Sequence, residues 1–175
     1  QSNLTNWEFG LPALGALNSA HSGINCWDIN LTTPYFNLAN AQLTSPIFDL
    51  SPFNIITIQF WLNYSSESGA DGMYLEYTTN GTTWQRLGSM GDPAGTNWYN
   101  SVLAQGHEGW SGISGGWQST SYVYHSPVGN NYFQIRFRFI SDFNVVDLGT
   151  SIDDISITGV TSVEEINENA NVIVY

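Results

Sequence analysis

Apolar residues recur with a period of two almost wherever a period can be read, and no segment of ten or more residues carries an apolar stripe at helical spacing. Across residues 55–64 the even positions Ile56, Ile58, Phe60, Leu62 and Tyr64 are apolar, while Thr57, Gln59 and Asn63 fall on the other face. Residues 132–141 repeat the pattern in the odd register, with Phe133, Ile135, Phe137 and Phe139 facing inward and Gln134, Arg136 and Arg138 outward. Between them Met73, Leu75 and Tyr77 alternate with Tyr74, Glu76 and Thr78. Asn80 and Gly81 then offer positive φ for a tight turn into a returning strand at residues 82–87. Weaker strands fall at residues 6–9, 26–29, 41–48 with a break near Pro46, 119–124 and 151–158. Short strands separated by 17 Gly and 6 Pro predict an all-β fold, an antiparallel β-sandwich of the jelly-roll kind. Two long connections, residues 10–25 and 88–117, interrupt it, the second carrying Trp98, Tyr99, Trp110 and Trp117.

Charge narrows the partners. The chain has three Arg, no Lys and 15 acidic residues, a formal net charge of −12, so it lacks the clustered cations that nucleic acid or an anionic membrane surface requires. Charged residues make up 10% of the chain against roughly 25% in ordinary globular domains, which leaves Asn, Ser, Thr, Gly and Gln to cover the surface, as suits an extracellular protein. No stretch of eighteen apolar residues is present to span a membrane. The single Cys26 makes an intrachain disulfide impossible and reads as a small buried hydrophobe beside Trp27. The start at Gln1, without Met, reads as a piece of a longer polypeptide. After Gly159 the chain loses the aromatic density of the preceding body, so residues 1–159 read as the sandwich and residues 160–175 as an acidic, Asn-rich linker toward something further.

The abundant ionisable groups are carboxylates. An inward carboxylate must be paired or bind a metal, and cations are scarce. Asp153 and Asp154 are adjacent in a strand, so at most one faces inward, and Glu8 lies between Trp7 and Phe9 near the other end of the chain. Neighbouring terminal strands would let Glu8 and Asp154, with Asp153 beside them, share a Ca²⁺ completed by backbone carbonyls; the alternative is that they are surface groups or acceptors for N–H. His21, His107 and His125 are scattered, and the segment GHEGW, residues 106–110, has Ser111 where a zinc-protease signature requires its second His. Residues 112–116, GISGG, match the GxSxG spacing but lie in a Gly-rich loop that reads as a flexible connection and not as a nucleophile elbow. The aromatic surplus offers a stacking surface for sugar rings, with Trp61, Tyr74, Trp98, Tyr99 and Trp110 as candidates and Arg136 and Arg138 as polar partners. The alternatives are that the loop Trp residues anchor the long loop to the sheet and that the two Arg are ion-paired.

The sequence NWEFG at residues 6–10, LTSPIFDLS at 43–51, DGMYLEYTTNGTTWQRLG at 71–88, GWSGISGGW at 109–117, IRFRFISD at 135–142 and SIDDISITG at 151–159 together resemble MAM-like jelly-roll modules, which are concanavalin-like sandwiches. The closer resemblance is to the version in secreted Bacteroidota proteins, as in the C-terminal regions of immune-inhibitor-A-type metallopeptidases. It implies Glu8 and Asp154, with Asp153, as cation ligands. The disulfide cysteines of animal MAM domains are missing, so their adhesion surface is not implied. The tail, with EEIN at residues 164–167 and VIVY at 172–175, resembles the lead-in to a type IX secretion sorting domain, which implies export and release or attachment at the cell surface. The expectation is a secreted, non-catalytic accessory module stabilised by Ca²⁺ that binds a glycan or surface protein ligand beside a neighbouring domain of the same polypeptide. The alternative is a structural or protein-interaction module packed on a catalytic domain such as a metallopeptidase.

Overall fold

A computed structural model describes residues 5–161. Among the described residues twelve strands form and no helix: β1 (Trp7–Gly10), β2 (Cys26–Ile29), β3 (Asn40–Thr44), β4 (Ile55–Ser65), β5 (Gly72–Thr78), β6 (Gln85–Arg86), β7 (Gly95–Thr96), β8 (Ser101–Val102), β9 (Glu108–Gly109), β10 (Gln118–His125), β11 (Gln134–Ile140) and β12 (Gly149–Val160). All pairings are antiparallel, in a six-stranded sheet ordered β1-β2-β12-β4-β10-β7, a four-stranded sheet ordered β3-β11-β5-β6 and a small β8-β9 ladder. The predicted sandwich is therefore present, and no helix among the described residues is long and apolar enough to cross a membrane. The tail expected to lead into a sorting domain lies outside the described residues, apart from Val160, which still pairs with Ile55, and Thr161.

Period two sets which faces meet. Ile56, Ile58, Phe60 and Leu62 of β4 and Ile135, Phe137 and Phe139 of β11 are all buried, and Phe60 meets Phe137 edge-on with ring centroids 5.0 Å apart. Fully burying an aliphatic or aromatic side chain is worth about 1.5–3 kcal/mol, so these two strands carry much of the hydrophobic stabilisation.

The hairpin after β5 departs from the expectation of a tight turn. Gly81 adopts φ 75, but Asn80 does not reach positive φ. The Asn80 side chain instead accepts the amides of Thr82 and Thr83 at 2.9 and 2.8 Å, a local bond that competes with strand pairing and delays the return to Gln85.

The long connection after β6 is packed rather than open. Its β9 end runs against β5, where Met73 and Trp110 exchange backbone hydrogen bonds of 3.1 and 2.8 Å. Glycine is required on both sides of this pair: a Cβ on Gly72 would strike the Trp110 carbonyl and one on Gly109 would strike that of Met73. Trp98, Tyr99 and Trp110 then enter the core, at 8%, 3% and 2% exposure, with Trp110 edge-on to Phe60 at 5.7 Å. Gly72→Ala is expected to lower the melting temperature by about 5 °C or more, since overpacking a tight core costs roughly 1–3 kcal/mol or more. A thermal melt followed by near-ultraviolet circular dichroism checks this, and an unchanged midpoint would show that the backbone approach is not required.

Candidate functional site

The three carboxylates expected to share a cation are not brought together. Strand β2 separates β1 from β12, so the terminal strands are not neighbours. Glu8 accepts the Leu31 amide at 2.9 Å. A bulge in β12 between Asp153 and Ser156, with Asp154 at φ 48, turns both Asp153 and Asp154 toward the loop at residues 21–22 instead of to opposite faces. Asp153 accepts the amides of His21 and Ser22 at 2.9 and 3.0 Å, while Asp154 accepts Ser22 Oγ at 2.7 Å and lies 2.7 Å from His21 Nδ1. These bonds from Ser22 and His21 hold the Asp154 carboxyl below its ordinary range.

Among the described residues, a different set of acids does converge. Single oxygens of Glu67, Asp71 and Asp142 lie within 4.8 Å of one another at the ends of β4, β5 and β11. Asp71 is fully buried; it accepts Tyr35 OH at 2.8 Å and the Asp142 amide at 2.7 Å. Glu67 Oε2 is buried without a partner. Burial raises the pKa of both Asp71 and Glu67, and for Glu67 the charges of Asp142 and Asp71 add to the rise. No arginine pairs with the cluster. Arg86 pairs with Glu108 at 3.2 Å, and both Arg136 and Arg138 pair with Glu76. Hard carboxylate oxygens with a phenol oxygen beside them suit Ca²⁺. Glu67 and Asp142 escaped sequence reading because only the fold closes the distance between them.

The expected stacking residues mostly do not present a face to solvent. Trp98, Tyr99 and Trp110 lie in the core, their polar atoms satisfied by backbone: Trp98 Nε1 donates to Leu87 O, Trp110 Nε1 to Asn97 O, and Tyr99 OH bonds both polar groups of Leu75. This corrects their assignment as ligand-binding residues and favours the alternative in which the loop aromatics anchor the loop. Tyr74 is likewise buried, stacked on His107 at 4.5 Å. Trp61 is half-buried beneath His21, whose ring stacks on it at 3.7 Å.

Arg136 and Arg138 do lie together, on the outer face of the four-stranded sheet. The register sets Arg86, Glu76, Arg136 and Thr44 in one row across β6, β5, β11 and β3, and Tyr74, Arg138 and Gln42 in the next. Arg136 lies over the Trp84 ring at 4.1 Å and donates to Gln42 at 3.0 Å; Arg138 donates to Asn40 at 2.7 Å. Trp84 was missed in the sequence, yet its alternation with Arg86 places it on the arginine face.

Two buried groups complete the electrostatics. Cys26 is buried as expected, its thiol pushed up to about 12 by burial and by the charges of Asp28 and Asp153. Asp28, across the sheet from both Glu8 and Ser151, accepts Ser151 Oγ at 2.9 Å, and burial raises its carboxyl to about 7.

No family model matches the chain. Bacillopeptidase F of Bacillus subtilis (strain 168) is 26% identical over 165 residues, which is 94% of this chain and 10% of that protein, so the chain spans about a tenth of its relative's length. Among solved structures, TmCBM61 in complex with β-1,4-galactotriose superposes with a TM-score of 0.47 at 13% identity, over 81% of this chain and 75% of that one. The K1 cleaved adhesin domain of Lys-gingipain from Porphyromonas gingivalis W83 gives 0.48 at 11% identity, covering 89% and 85%. The K2 cleaved adhesin domain of Lys-gingipain gives 0.46 at 16% identity, covering 88% and 82%.

A carboxyl with a raised folded pKa keeps its proton to higher pH in the folded state than in the unfolded chain. The folded state therefore loses stability as pH rises from about 4 to the Asp28 value of about 7. In calcium-free buffer the urea midpoint should fall across that window, and Asp28→Asn should flatten the fall by an amount on the order of a few kcal/mol. An unaltered slope in the variant would remove Asp28 as its source.

Proposed function

We propose that the chain is a non-catalytic accessory module of a longer, exported polypeptide, which binds a glycan on the outer face of its four-stranded sheet and holds a structural Ca²⁺ at Glu67, Asp71 and Asp142. The observation that carries the binding role is the arginine face itself: Trp84, Arg136 and Arg138 sit beside the exposed side chains Asn40, Gln42 and Thr44, on a face where His107 of the long connection covers Tyr74. An aromatic ring with planar amides and guanidinium groups around it suits the apolar faces and hydroxyls of sugars. The histidines support a non-catalytic reading, since His21 is held by Asp154 and Trp61, and His107 stacks on Tyr74. The low content of charged residues supports an extracellular setting, and the MAM-like resemblance and the sorting-domain character of the tail extend the same reading.

The calcium role rests on three carboxylates, one of them fully buried, with no arginine paired to them. Bound Ca²⁺ offsets their mutual repulsion and stabilises only the folded state.

A second reading, packing against a neighbouring catalytic domain, is favoured by one feature. Leu38 and Phe143, 73% and 70% exposed, lie on two loops stapled by Asn37 Nδ2 to Phe143 O at 2.9 Å and Leu38 N to Asp142 O at 2.6 Å, with Val145 and Val146 also exposed. Leu38 also adopts φ 59, a strained conformation for a branched side chain.

On a glycan array the chain is expected to bind at least one oligosaccharide, and Trp84→Ala to weaken that binding by about tenfold, since loss of a stacked ring removes roughly 1–2 kcal/mol. Absence of binding to any glycan would leave the packing reading in its place. Saturating Ca²⁺ is expected to raise the melting temperature by several degrees over chelator, and Asp71→Asn to abolish the rise. Equal melting with calcium and with chelator would remove the ion.

A further inference from the structure

We infer that the arginine face of the four-stranded sheet reads a carboxylate, so that the glycan it takes bears a uronic acid within an otherwise neutral chain. The inference rests on the glycan-binding reading and adds the chemical class of its ligand.

All three cations of a chain with net charge −12 are gathered on this one face, although they come from two different strands. They meet only two carboxylates there: Glu76, between Arg136 and Arg138, and Glu108, beside Arg86. The face is therefore locally positive, while the other acids among the described residues pair with no Lys or Arg. An anionic group is repelled from most of the surface and attracted here, because field lines follow the local charge and not the total.

The donors have the right kind. A guanidinium presents a planar fork that matches a carboxylate in two parallel hydrogen bonds, which an ammonium does not. Arg136 lies over Trp84 and is tethered to Gln42, and Arg138 is tethered to Asn40, so little side-chain entropy remains to be lost on binding. Two guanidinium groups, Arg136 and Arg138, share the single Glu76 carboxylate, so positive charge on this face exceeds the carboxylate charge set against it. Asn40, Gln42 and Thr44, all exposed along β3, offer amide and hydroxyl groups to the neighbouring neutral sugars. The net charge of −12 still opposes a dense polyanion, which is why an isolated uronate fits and nucleic acid does not.

Calorimetric titration with an aldotetraouronic acid, a single glucuronate on a neutral xylo-oligosaccharide, tests this against two comparators: its carboxyl methyl ester and neutral xylotetraose. The acid is expected to bind at least about tenfold more tightly than either. Arg138→Lys keeps the charge that neutralises Glu76 but lacks the fork, and should lose about tenfold for the acid while leaving the melting temperature within a few degrees. Ester and acid binding equally, or Arg138→Lys binding the acid as well as the parent does, would overturn the carboxylate readout. Binding of neutral glycans alone on the array would also overturn it and leave the glycan reading intact. Binding of no glycan, acidic or neutral, would overturn both.

Discussion

The close backbone approach between β5 and the long connection is the constraint from which much else follows. Met73 and Trp110 can exchange two hydrogen bonds only because neither Gly72 nor Gly109 carries a Cβ. Once the strands touch there, the indole of Trp110 has one place to go, edge-on to Phe60 and beside Trp98 and Tyr99. The connection between β6 and β10 thus becomes a wall of the sandwich. The same contact fixes Asp71, immediately before Gly72: Ser66 Oγ and Ser111 Oγ both donate to its carbonyl, at 3.0 and 2.7 Å. The acidic cluster sits beside this joint, where the ends of three strands are locked to the loop.

Charge is divided between two sites of the fold in a way that composition conceals. The outer face of the four-stranded sheet pairs every arginine with Glu76 or Glu108, whereas Asp71 and Asp142 receive hydrogen bonds but no cation and Glu67 Oε2 receives neither. Hydrogen bonds to Asp71 moderate its raised pKa without removing the repulsion from Asp142. On the proposed reading the acidic cluster takes a metal ion and the arginine face an anion, and the two sites need not compete.

How far the fold was legible depended on how many turns of the pattern a segment contained. The strands β4 and β11 carry several alternations each, and the faces read inward from Ile56 to Tyr64 and from Phe133 to Phe139 are buried, whereas β5 is buried on both faces because His107 covers Tyr74 and Glu76 lies under two arginines. The two-residue strands β7, β8 and β9 carry no period, and nothing in a Gly-rich loop marks them. At the sites the limit was of another kind. Alternation sorted Arg136 and Arg138 outward, but whether Trp98 and Trp110 faced solvent depended on a tertiary contact at Gly72, and Asp142 is separated from Glu67 and Asp71 by intervening strands. The expected Glu8 and Asp154 pair required adjacent terminal strands; sheet order alone, with β2 between them, decided against it.

The bulge in β12 has a consequence for how such a chain can vary. Ile152 faces the core, Asp153 faces the loop, and after the extra residue Ile155 and Ile157 again line the hollow beside Trp27 and Phe137. Remove Asp154 and the alternation of inward and outward side chains runs through without interruption. The residue is thus an insertion within a strand that is complete without it, and its bonds to His21 and Ser22 hold a loop instead of a sheet. Relatives that have lost this single codon would keep both sheets and the core in register. They would differ only in how the connection between β1 and β2 is held down, so length variation at this position can remodel one surface of the module and leave the sandwich unaltered.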